Sequence, residues 1–432
     1  MSILIPRVNG DTIPSGRSGH IGVYHAGHLL VHGGYTNSEH ERYPSSNEIW
    51  CYNIELSIWT RVSCSGNPPS GGVSGSCAVV LNDTLFIFGG FYPSPLDRSD
   101  IIGLRTANLY SVDLRKFQFT NQTGNIKGGE PLNRDKHCAW TCEPDSRILF
   151  FGGFGNAPDE PLTTAGEFVY DEYAGGTGWN NQLAVLNINK FPDLSWEFPE
   201  QTGDIPCPRA AHTSAQVSPH TGYLFGGRFK TERRNDLYKL DLRTYKWTRL
   251  SGGDSIAGPC GRSWHVLVGM PTAGDEGSLF LYGGYDTEGN ALSDIWIWDI
   301  AGDFWTEIAW DRPFNLSYTR MWHCAVHSHR PGDILIFGGC ETSLLGSQDP
   351  VHSNLLAVFR YSPPELVTIC MDRIVLDYTF YEEYICCLPP DVLKRVQSRV
   401  ELVRGRQGRQ NHYLHAMNTR TCSLMYSIQG IF

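Results

Sequence analysis

The 432-residue chain has little that would place it in a membrane, in a secretory pathway or on nucleic acid. No stretch approaches the roughly 20 apolar residues that a membrane-spanning helix needs. The start, MSILIP, has neither the basic region nor the apolar core of a signal peptide. The net charge of −10 argues against broad binding to nucleic acid. We therefore expect a protein of the cytoplasm and/or the nucleus.

Motifs for catalysis and for metal binding are also missing. The chain has no Ser-His-Asp motif, no phosphate-binding loop and no paired zinc-ligand motif. Its 13 cysteines are not spaced as metal ligands, so we expect mostly buried, free thiols in a reducing compartment. The sequence thus predicts no catalytic residues, no cofactor and no metal site.

What the sequence does have is a repeat. Short apolar runs such as LFIF, ILFF and ILIF are each followed by two glycines, and most pairs lead into a polar loop and an aromatic-rich strand. A period near 50 residues is typical of a kelch-type β-propeller. We therefore predict an all-β fold, a six-bladed kelch β-propeller with a short C-terminal α-helical appendage. The six pairs are Gly33-Gly34, Gly89-Gly90, Gly152-Gly153, Gly226-Gly227, Gly283-Gly284 and Gly338-Gly339.

The ends of the propeller and its long loops can also be predicted. Blade six lacks a clear fourth strand, so we expect the N-terminal run Ile3-Leu4-Ile5 to complete it and to cover its open edge. Blades two and three carry long insertions near residues 93–106 and 156–180. Long loops in a compact array are often functional, and these two should project on the same face.

The pattern becomes helical after residue 364. Leu366, Cys370 and Ile374 recur at helical spacing, and a second helix should begin at Leu388-Pro389-Pro390 and continue through Val392. We predict a propeller over residues 1–362, helices over 363–405, and a basic, partly ordered tail over 406–432.

The residues after the glycine pairs should form one ring at a mouth of the propeller. Four of the six are aromatic, and of the two others, Cys340 and Arg228, only Arg228 carries a charge. Arg233 follows in the next loop, and blade five contributes Ser263 and Trp264 at the start of its inner strand. A guanidinium binds a carboxylate through two parallel hydrogen bonds, and a hydroxyl can add a third. The pattern favours a site for a planar anion.

An ordinary ion pair for Arg228 and a metal site at the aligned histidines are two other interpretations of these residues. Arg228 could pair with a nearby acid, such as Glu232 or Asp236, since surface ion pairs are common. Five histidines also align at the inner strands and invite a metal site. Recurrence at a strand position instead favours a structural hydrogen-bonding role. These histidines are His20, His137, His212, His265 and His323.

The stretches GGRF, GRSWH and IFGGC, with NDL after Arg233, resemble the family of kelch domain-containing proteins 1 and 2, and the similarity extends past the six blades. The resemblance implies a non-catalytic substrate-recognition subunit of a cullin-2 RING ubiquitin ligase. Such subunits bind proteins whose C-termini end in a diglycine-type degron.

The resemblance also implies roles for individual residues. Arg228, Arg233 and Ser263 look like a clamp for the terminal carboxylate of the substrate. The other residues of the implied site are the pocket walls Trp179 and Trp264, the deeper polar contact Lys136, and the rim residues Tyr35 and Phe154. Phe154 stands where the relatives have Tyr and Thr177 where they have Arg, and both changes remove hydrogen-bonding capacity.

Two C-terminal segments resemble ligase-docking elements. Leu366, Cys370 and Ile374 match the elongin-binding box, although Glu365 replaces the small or hydroxyl residue usual before that leucine. Leu388, Pro389 and Val392 match the cullin-2 box. The implied partners are elongin B, elongin C, cullin-2 and a RING subunit.

Two other classes of function are open. The propeller could be an interaction scaffold that binds internal peptide loops without recruiting a ligase, and a requirement for a free substrate C-terminus separates the two. It could also be an enzyme, since some kelch propellers are secreted copper oxidases. The missing signal peptide and the missing Tyr/His/Cys arrangement argue against that class, which a metal assay would test.

Overall fold

A computed structural model describes most of the chain. The described residues are 2–4, 13–36, 42–55, 57–93, 103–159, 162, 166–173, 175–252, 258–271, 276–310, 317–328, 332–342, 350–361, 370–371, 373–375 and 378–407. They divide into two compact units, one of residues 1–53 and 58–361, the other of residues 54–57 and 362–432. No helix among these described residues is long and apolar enough to cross a membrane.

The first unit is a six-bladed β-propeller, as the glycine repeat predicts. Each blade is a small sheet whose main strands pair antiparallel in chain order. Blade one contains Ser18–His25, His28–Tyr35, Glu48–Asn53 and Ile58–Ser63. Blade two contains Cys77–Leu81, Thr84–Phe88, Leu109–Asp113, Gln118–Asn121 and the short Ser65–Gly66. Blade three contains Cys138–Cys142, Arg147–Asn156, Thr177–Lys190 and Asp193–Glu197.

The remaining blades follow the same plan. Blade four contains Thr213–Ser218, Thr221–Phe225, Leu237–Asp241, Lys246–Ser251 and the short Thr202–Gly203. Blade five contains Val266–Met270, Ser278–Asp286, Ala291–Asp299 and Phe304–Glu307, with Arg262–Ser263 paired to its second strand. Blade six contains Cys324–His327, Asp333–Phe337 and Leu356–Arg360.

The N-terminus supplies the outer strand of blade six. Ser2–Leu4 pairs antiparallel with Leu356–Arg360, and Ile3 lies opposite Phe359. The predicted closing strand is confirmed for these residues, while Ile5 lies outside the described part of the chain. The pairing covers the edge that the last blade would otherwise expose.

The core lies between neighbouring blades. In the second strand of blade two, Leu85 and Ile87 pack toward blade one, whereas Phe86 and Phe88 pack toward blade three. Because alternate residues of a strand point to opposite faces, a strand buried on both faces must be apolar throughout. This geometry explains the uninterrupted apolar runs before the glycine pairs.

A closed circle of backbone hydrogen bonds joins the six blades around the axis. Each blade contributes one residue in the left-handed region, with φ between 55° and 66°. The amide of each donates to the carbonyl of the preceding blade's residue, at N···O distances of 2.7–3.0 Å. We call these residues the inner ring. They are Gly19, Gly75, Lys136, Ala211, Trp264 and Trp322.

The two insertions project on the same face, as predicted. In blade two, Phe91–Pro93 pairs with Gly103–Arg105, and residues 94–102 between them lie outside the described part. In blade three, Phe168–Tyr170 pairs with the extended strand Thr177–Lys190. The insertion of blade two reaches blade three, where the Arg105 guanidinium lies 4.8 Å from the centre of the Phe154 ring, just before the insertion of blade three begins.

The second unit is helical where it is described. Residues 370–371 and 373–375 are helical, and Tyr378–Tyr381, the 3-10 turn Ile385–Cys387 and the helix Pro390–Gln407 follow. The predicted helix start at the proline pair is confirmed. Its own small core contains Met371, Val396 and Val400. Leu366 and residues 408–432 of the predicted tail lie outside the described part.

Candidate functional site

The residues that follow the glycine pairs occupy equivalent positions at one mouth of the propeller. Each pairs across the sheet with the residue just before its blade's inner-ring residue, so the six positions repeat around the axis. The pairs are Ser18–Tyr35, Ser74–Phe91, Asp135–Phe154, Ala210–Arg228, Ser263–Tyr285 and Met321–Cys340.

Arg228 and Arg233 lie opposite each other in a short hairpin of blade four. The strands Arg228–Phe229 and Glu232–Arg233 pair antiparallel, with Arg228 directly across from Arg233. The Arg228 Nε donates to the carbonyl of Lys230 at 2.7 Å, which orients the guanidinium. Both arginine side chains are partly buried.

Arg233 reaches from blade four to blade five. Its Nε donates to the Ser263 Oγ at 2.9 Å, and its guanidinium lies 4.6 Å from the centre of the Tyr285 ring. Burial and the positive charge of Arg228 lower the pKa of Arg233 below its ordinary value. The site therefore concentrates positive charge in a place with restricted access to water.

The nearby acids are engaged elsewhere. Glu232 pairs with Arg234 at 3.0 Å, and Asp236 pairs with the buried Arg209 at 2.6 Å. The alternative in which Arg228 pairs with Glu232 or Asp236 is therefore wrong. Within the ranges that the structure describes, neither Arg228 nor Arg233 has a carboxylate within ion-pair distance.

Asp286 is also committed to a local contact. Its carboxylate accepts from the backbone and side-chain nitrogens of Asn290, at 2.7 and 3.0 Å. It offsets part of the charge of Arg233 only at longer range.

Aromatic side chains surround the two arginines. The Trp264 indole stacks on Trp322 with ring centres 5.7 Å apart, and Tyr285 lies 6.1 Å from Trp264. The Trp264 indole nitrogen is buried and has no hydrogen-bond partner among the described residues. On the other side, the Trp179 ring lies 5.9 Å from Phe229, the residue after Arg228.

The remaining predicted residues complete the mouth. Phe154 lies across the sheet from Trp179, with ring centres 5.2 Å apart. The Lys136 Nζ lies 2.5 Å from the Asp135 carboxylate and 5.5 Å from the centre of the Trp322 ring. Tyr35 contacts Trp322 from blade one, with ring centres 5.6 Å apart. The predicted residues thus come together around one opening, which the inner ring and the aligned histidines continue as a cavity of about 140 Å³.

The aligned histidines are structural. All five are buried, and burial is the main reason why their pKa values fall, to about 3 for His20 and His212. Two of them contact a backbone carbonyl of the preceding blade. His212 Nε2 lies 3.3 Å from the Phe151 carbonyl, and His265 Nε2 lies 3.2 Å from the Phe225 carbonyl. They do not converge as metal ligands within the described part of the chain.

Sequence reasoning missed two features near the mouth. Each aligned histidine is preceded, three positions earlier, by a buried arginine, and most of these donate to a glycine carbonyl of the same blade. The repeated Arg-x-x-His spacing could have revealed them. The second feature is Arg105, which stacks on Phe154 and lies 3.6 Å from the Asp135 carboxylate. The sequence pattern does not identify Arg105, because this residue belongs to the insertion of blade two and contacts residues of blade three.

In the second unit, the predicted docking residues differ in exposure. Cys370 and Pro389 are exposed, whereas Ile374, Leu388 and Val392 are partly buried against the core of their own unit. Leu366 lies outside the described residues. Met371, which sequence reasoning did not single out, is the fully buried residue of this segment.

Comparison with known proteins agrees with the kelch propeller fold, and the similarity to the relatives below covers most of the chain. The chain matches the family described as the KLHDC2/KLHL20/DRC7 Kelch-repeats domain over residues 1–153, 45–273 and 171–346. It is 33% identical to Kelch domain-containing protein 2 of Homo sapiens over 401 residues, covering 89% of this chain and 91% of that protein. It is 35% identical to Kelch domain-containing protein 1 of Homo sapiens over 396 residues, covering 89% and 90%. Host cell factor homolog hcf-1 of Caenorhabditis elegans is more distant, with 24% identity over 315 residues, covering 68% of this chain and 36% of that protein.

Proposed function

The chain belongs to the family of Kelch domain-containing proteins 1 and 2, and we propose that its propeller binds the C-terminal carboxylate of protein substrates that end in a diglycine-type degron. In this function the protein is a non-catalytic substrate-recognition subunit of a cullin-2 RING ubiquitin ligase. Other subunits of the ligase carry out ubiquitin transfer.

The main support is the pair of guanidiniums at the mouth. Arg228 and Arg233 lie opposite each other, partly buried, and have no carboxylate partner among the described residues. Bringing two like charges together away from water is unfavourable unless an anion joins them. A carboxylate fits because each guanidinium can offer it parallel donors, and the Ser263 hydroxyl can supply a further one.

The aromatic side chains around the arginines favour a small residue at the C-terminus of the bound peptide. Tyr285 lies against the Arg233 guanidinium, Trp264 packs beside Tyr285, and Trp179 packs on Phe229 next to Arg228. A glycine at the end of the peptide leaves its carboxylate accessible to the clamp, whereas a bulky side chain would compete for the space between the rings. The unpaired indole N–H of Trp264 is a further donor close to this space.

A binding screen with peptides that differ only in their last three residues tests this proposal. We expect Gly-Gly-ending peptides to bind most tightly. Adding one alanine beyond the diglycine should weaken binding, because it moves the carboxylate by up to about 3.6 Å and hydrogen bonds do not tolerate that shift. Equal binding of the extended peptide would instead favour the scaffold that recognises internal loops.

Ligase recruitment by the helical unit is the second part of the proposal. Cys370 is exposed although it belongs to an apolar helical pattern, and Met371 beside it supplies the buried contact of the unit's own core. An apolar residue that does not serve its own core is available to a partner. This supports elongin C as the partner of the segment that contains Leu366 and Cys370, and cullin-2 as the partner of the segment that begins at Leu388.

Co-purification tests the recruitment. The double substitution Leu366→Ala with Cys370→Ala should abolish co-purification with elongins B and C while peptide binding stays unchanged. Cys386→Ala, which removes another exposed cysteine of the same unit, is the matched control and should retain both elongins. Loss of thermal stability in the double variant, rather than loss of partners, would show that the two residues only pack within the protein.

A further inference from the structure

Three side chains with metal-ligating atoms meet where blades three and four adjoin, at the end of the strands that is remote from the peptide mouth. Cys142 ends the inner strand Cys138–Cys142, which leaves the inner ring after Lys136. Asp145 lies in the 3-10 turn that follows, and His220 lies in the turn between the first two strands of blade four. Their ligand atoms all lie within 4.8 Å of one another.

We propose that Cys142, Asp145 and His220 bind a divalent transition cation of the zinc class, with the fourth coordination position open to solvent. Thiolate, imidazole and carboxylate are the ligand types that zinc uses in proteins. No sequence motif announces the site, because Cys142 and His220 are 78 residues apart.

The distances from the Cys142 sulfur fit tetrahedral coordination. The Cys142 Sγ lies 3.1 Å from the Asp145 Oδ2 and 3.7 Å from the His220 Nδ1. Zinc bonds of about 2.3 Å to sulfur and about 2.0 Å to nitrogen or oxygen place such ligands about 3.5 Å from the sulfur. The Asp145 and His220 ligand atoms lie within 4.8 Å of each other, so a rotation of these side chains toward each other completes the site.

The backbone holds both turns in place. The Ser146 amide donates to the Glu143 carbonyl at 3.0 Å, and the Ser146 carbonyl accepts from the Ile188 amide at 2.9 Å. In blade four, the His220 carbonyl accepts from the Leu242 amide at 2.9 Å. These bonds limit the entropy that the ligands lose on binding an ion.

Arg147 and Tyr245 form an outer layer. The Arg147 Nη2 donates to the Asp145 Oδ2 at 2.8 Å, and its Nη1 donates to the Tyr245 hydroxyl at 2.5 Å. Carboxylates that ligate metals are commonly held by such outer hydrogen bonds. The positive charge of Arg147 opposes the cation, and the negative charge that Cys142 gains on binding compensates for it.

Binding exchanges a proton for the metal. The Cys142 thiol donates to the Asp145 carboxylate at 3.1 Å, so it must lose this proton to ligate the metal. The S–H bond breaks, a bond from sulfur to the metal forms, and the proton goes to the buffer.

Cobalt titration of the chelator-treated, full-length protein tests the site. We expect one equivalent of Co²⁺ to give the absorption band of a thiolate-cobalt bond, and Zn²⁺ to abolish that band. Cys142→Ser should remove the band, and His220→Ala should weaken binding at least tenfold. His220 lies partly exposed in a turn, so this variant should keep the wild-type thermal midpoint without metal.

The adjacent exposed cysteines 386 and 387 provide the control for adventitious binding. The double variant Cys386→Ser with Cys387→Ser should retain the cobalt band and the wild-type affinity for Co²⁺. The proposal is overturned if the wild-type protein gives no band. It is equally overturned if the band persists in Cys142→Ser and His220→Ala but disappears in the double variant, since the exposed pair would then be the ligand.

Discussion

At the scale of the residue, the environment of each arginine distinguishes a binding group from a structural one. Arg209 and Arg262 are buried and each pairs with an aspartate, at 2.6 and 2.7 Å. The Arg233 side chain is partly buried, and its one hydrogen bond among the described residues is to the neutral hydroxyl of Ser263. A guanidinium whose charge is not matched inside the protein is the one that gains most from an external anion.

The first prediction concerns these arginines. Arg228→Ala and Arg233→Ala should each weaken binding of a Gly-Gly-ending peptide by about 2–5 kcal/mol, because the carboxylate loses a charge-assisted partner in a semi-enclosed site. Titration of each variant with one labelled peptide measures the effect. Arg234→Ala is the matched control, since this neighbouring arginine already pairs with Glu232 and should bind as the wild type does. Wild-type affinity in both clamp variants would contradict the carboxylate role.

A second prediction concerns one glycine of the repeat. Gly227 has φ +98°, and a Cβ there would lie 2.7 Å from the His212 Cβ. Gly227→Ala should therefore lose about 1–3 kcal/mol of unfolding free energy to backbone strain, and more to the clash. Gly27→Ala is the control, because Gly27 also has a positive φ, +80°, but faces open space. Urea denaturation compares the two, and equal losses would show that strain alone decides.

At the scale of the element, pairing between distant segments completes the blades. Ser2–Leu4 adds the fourth strand of blade six although it lies at the opposite end of the chain from Leu356–Arg360. Such closure links the first and last parts of the propeller, so it should stabilise the whole ring rather than one blade.

Removal of residues 2–4 tests the closing strand. The truncated protein should unfold at a lower temperature, and the amides of Leu356–Arg360 should exchange with deuterium faster, because their sheet edge becomes open to water. Ser2→Ala, which keeps the backbone, should behave as the wild type. An unchanged melting temperature together with unchanged exchange in that strand would show that the pairing contributes nothing measurable.

The elements also show which parts of the structure can be predicted from sequence. Blades, closing strand and helix start follow from local signals, namely the Gly-Gly period, a short apolar run and the proline pair at 389–390. Contacts between residues that are distant in the sequence do not follow from such local signals. Asp236 is a possible partner of Arg228 by its place in the sequence, yet it bonds to Arg209, which lies 27 residues earlier and is buried in the same blade. Arg105 and the Cys142–His220 contact likewise depend on neighbouring blades, so no local pattern could place them.

The roles that the family resemblance implies for residues of the mouth and of the helical unit stay predictions.

At the scale of the whole molecule, the buried histidines couple folding to pH. Their pKa values lie below the ordinary value of 6.5, at about 3 for His20 and His212, because burial disfavours the charged form. Between pH 3 and pH 6.5, these histidines therefore bind protons in the unfolded chain but not in the folded chain. Stability is therefore fully present above pH 6.5 and falls as the pH drops toward 3, by up to about 1.4 kcal/mol per pH unit for each histidine.

Thermal melts between pH 7 and pH 5 test this coupling, in a range where carboxylates remain largely ionised. The midpoint should fall steadily with acidification. His212→Gln keeps a donor for the Phe151 carbonyl but does not titrate, so its midpoint should fall less steeply than that of the wild type. Parallel curves for the two proteins would contradict a role for His212 in the pH dependence.

The propeller as a whole brings positive charge and aromatic rings from separate blades to one mouth, on a chain whose net charge is −10. Arg228 and Arg233 come from blade four, Ser263 and Trp264 from blade five, and Trp179 from blade three. A local cationic site on an acidic protein favours a specific anionic group over general attraction to polyanions. We therefore propose that this group is the terminal carboxylate of a protein.

Titration of the wild-type protein with one Gly-Gly-ending peptide, as the free acid and as the C-terminal amide, tests that claim most directly. The amide keeps the backbone and the shape of the peptide, but it loses the charge and presents donors where the arginines need acceptors. We predict that amidation weakens binding at least about tenfold, or about 1.4 kcal/mol. Equal affinity for the acid and the amide would contradict recognition of the C-terminus.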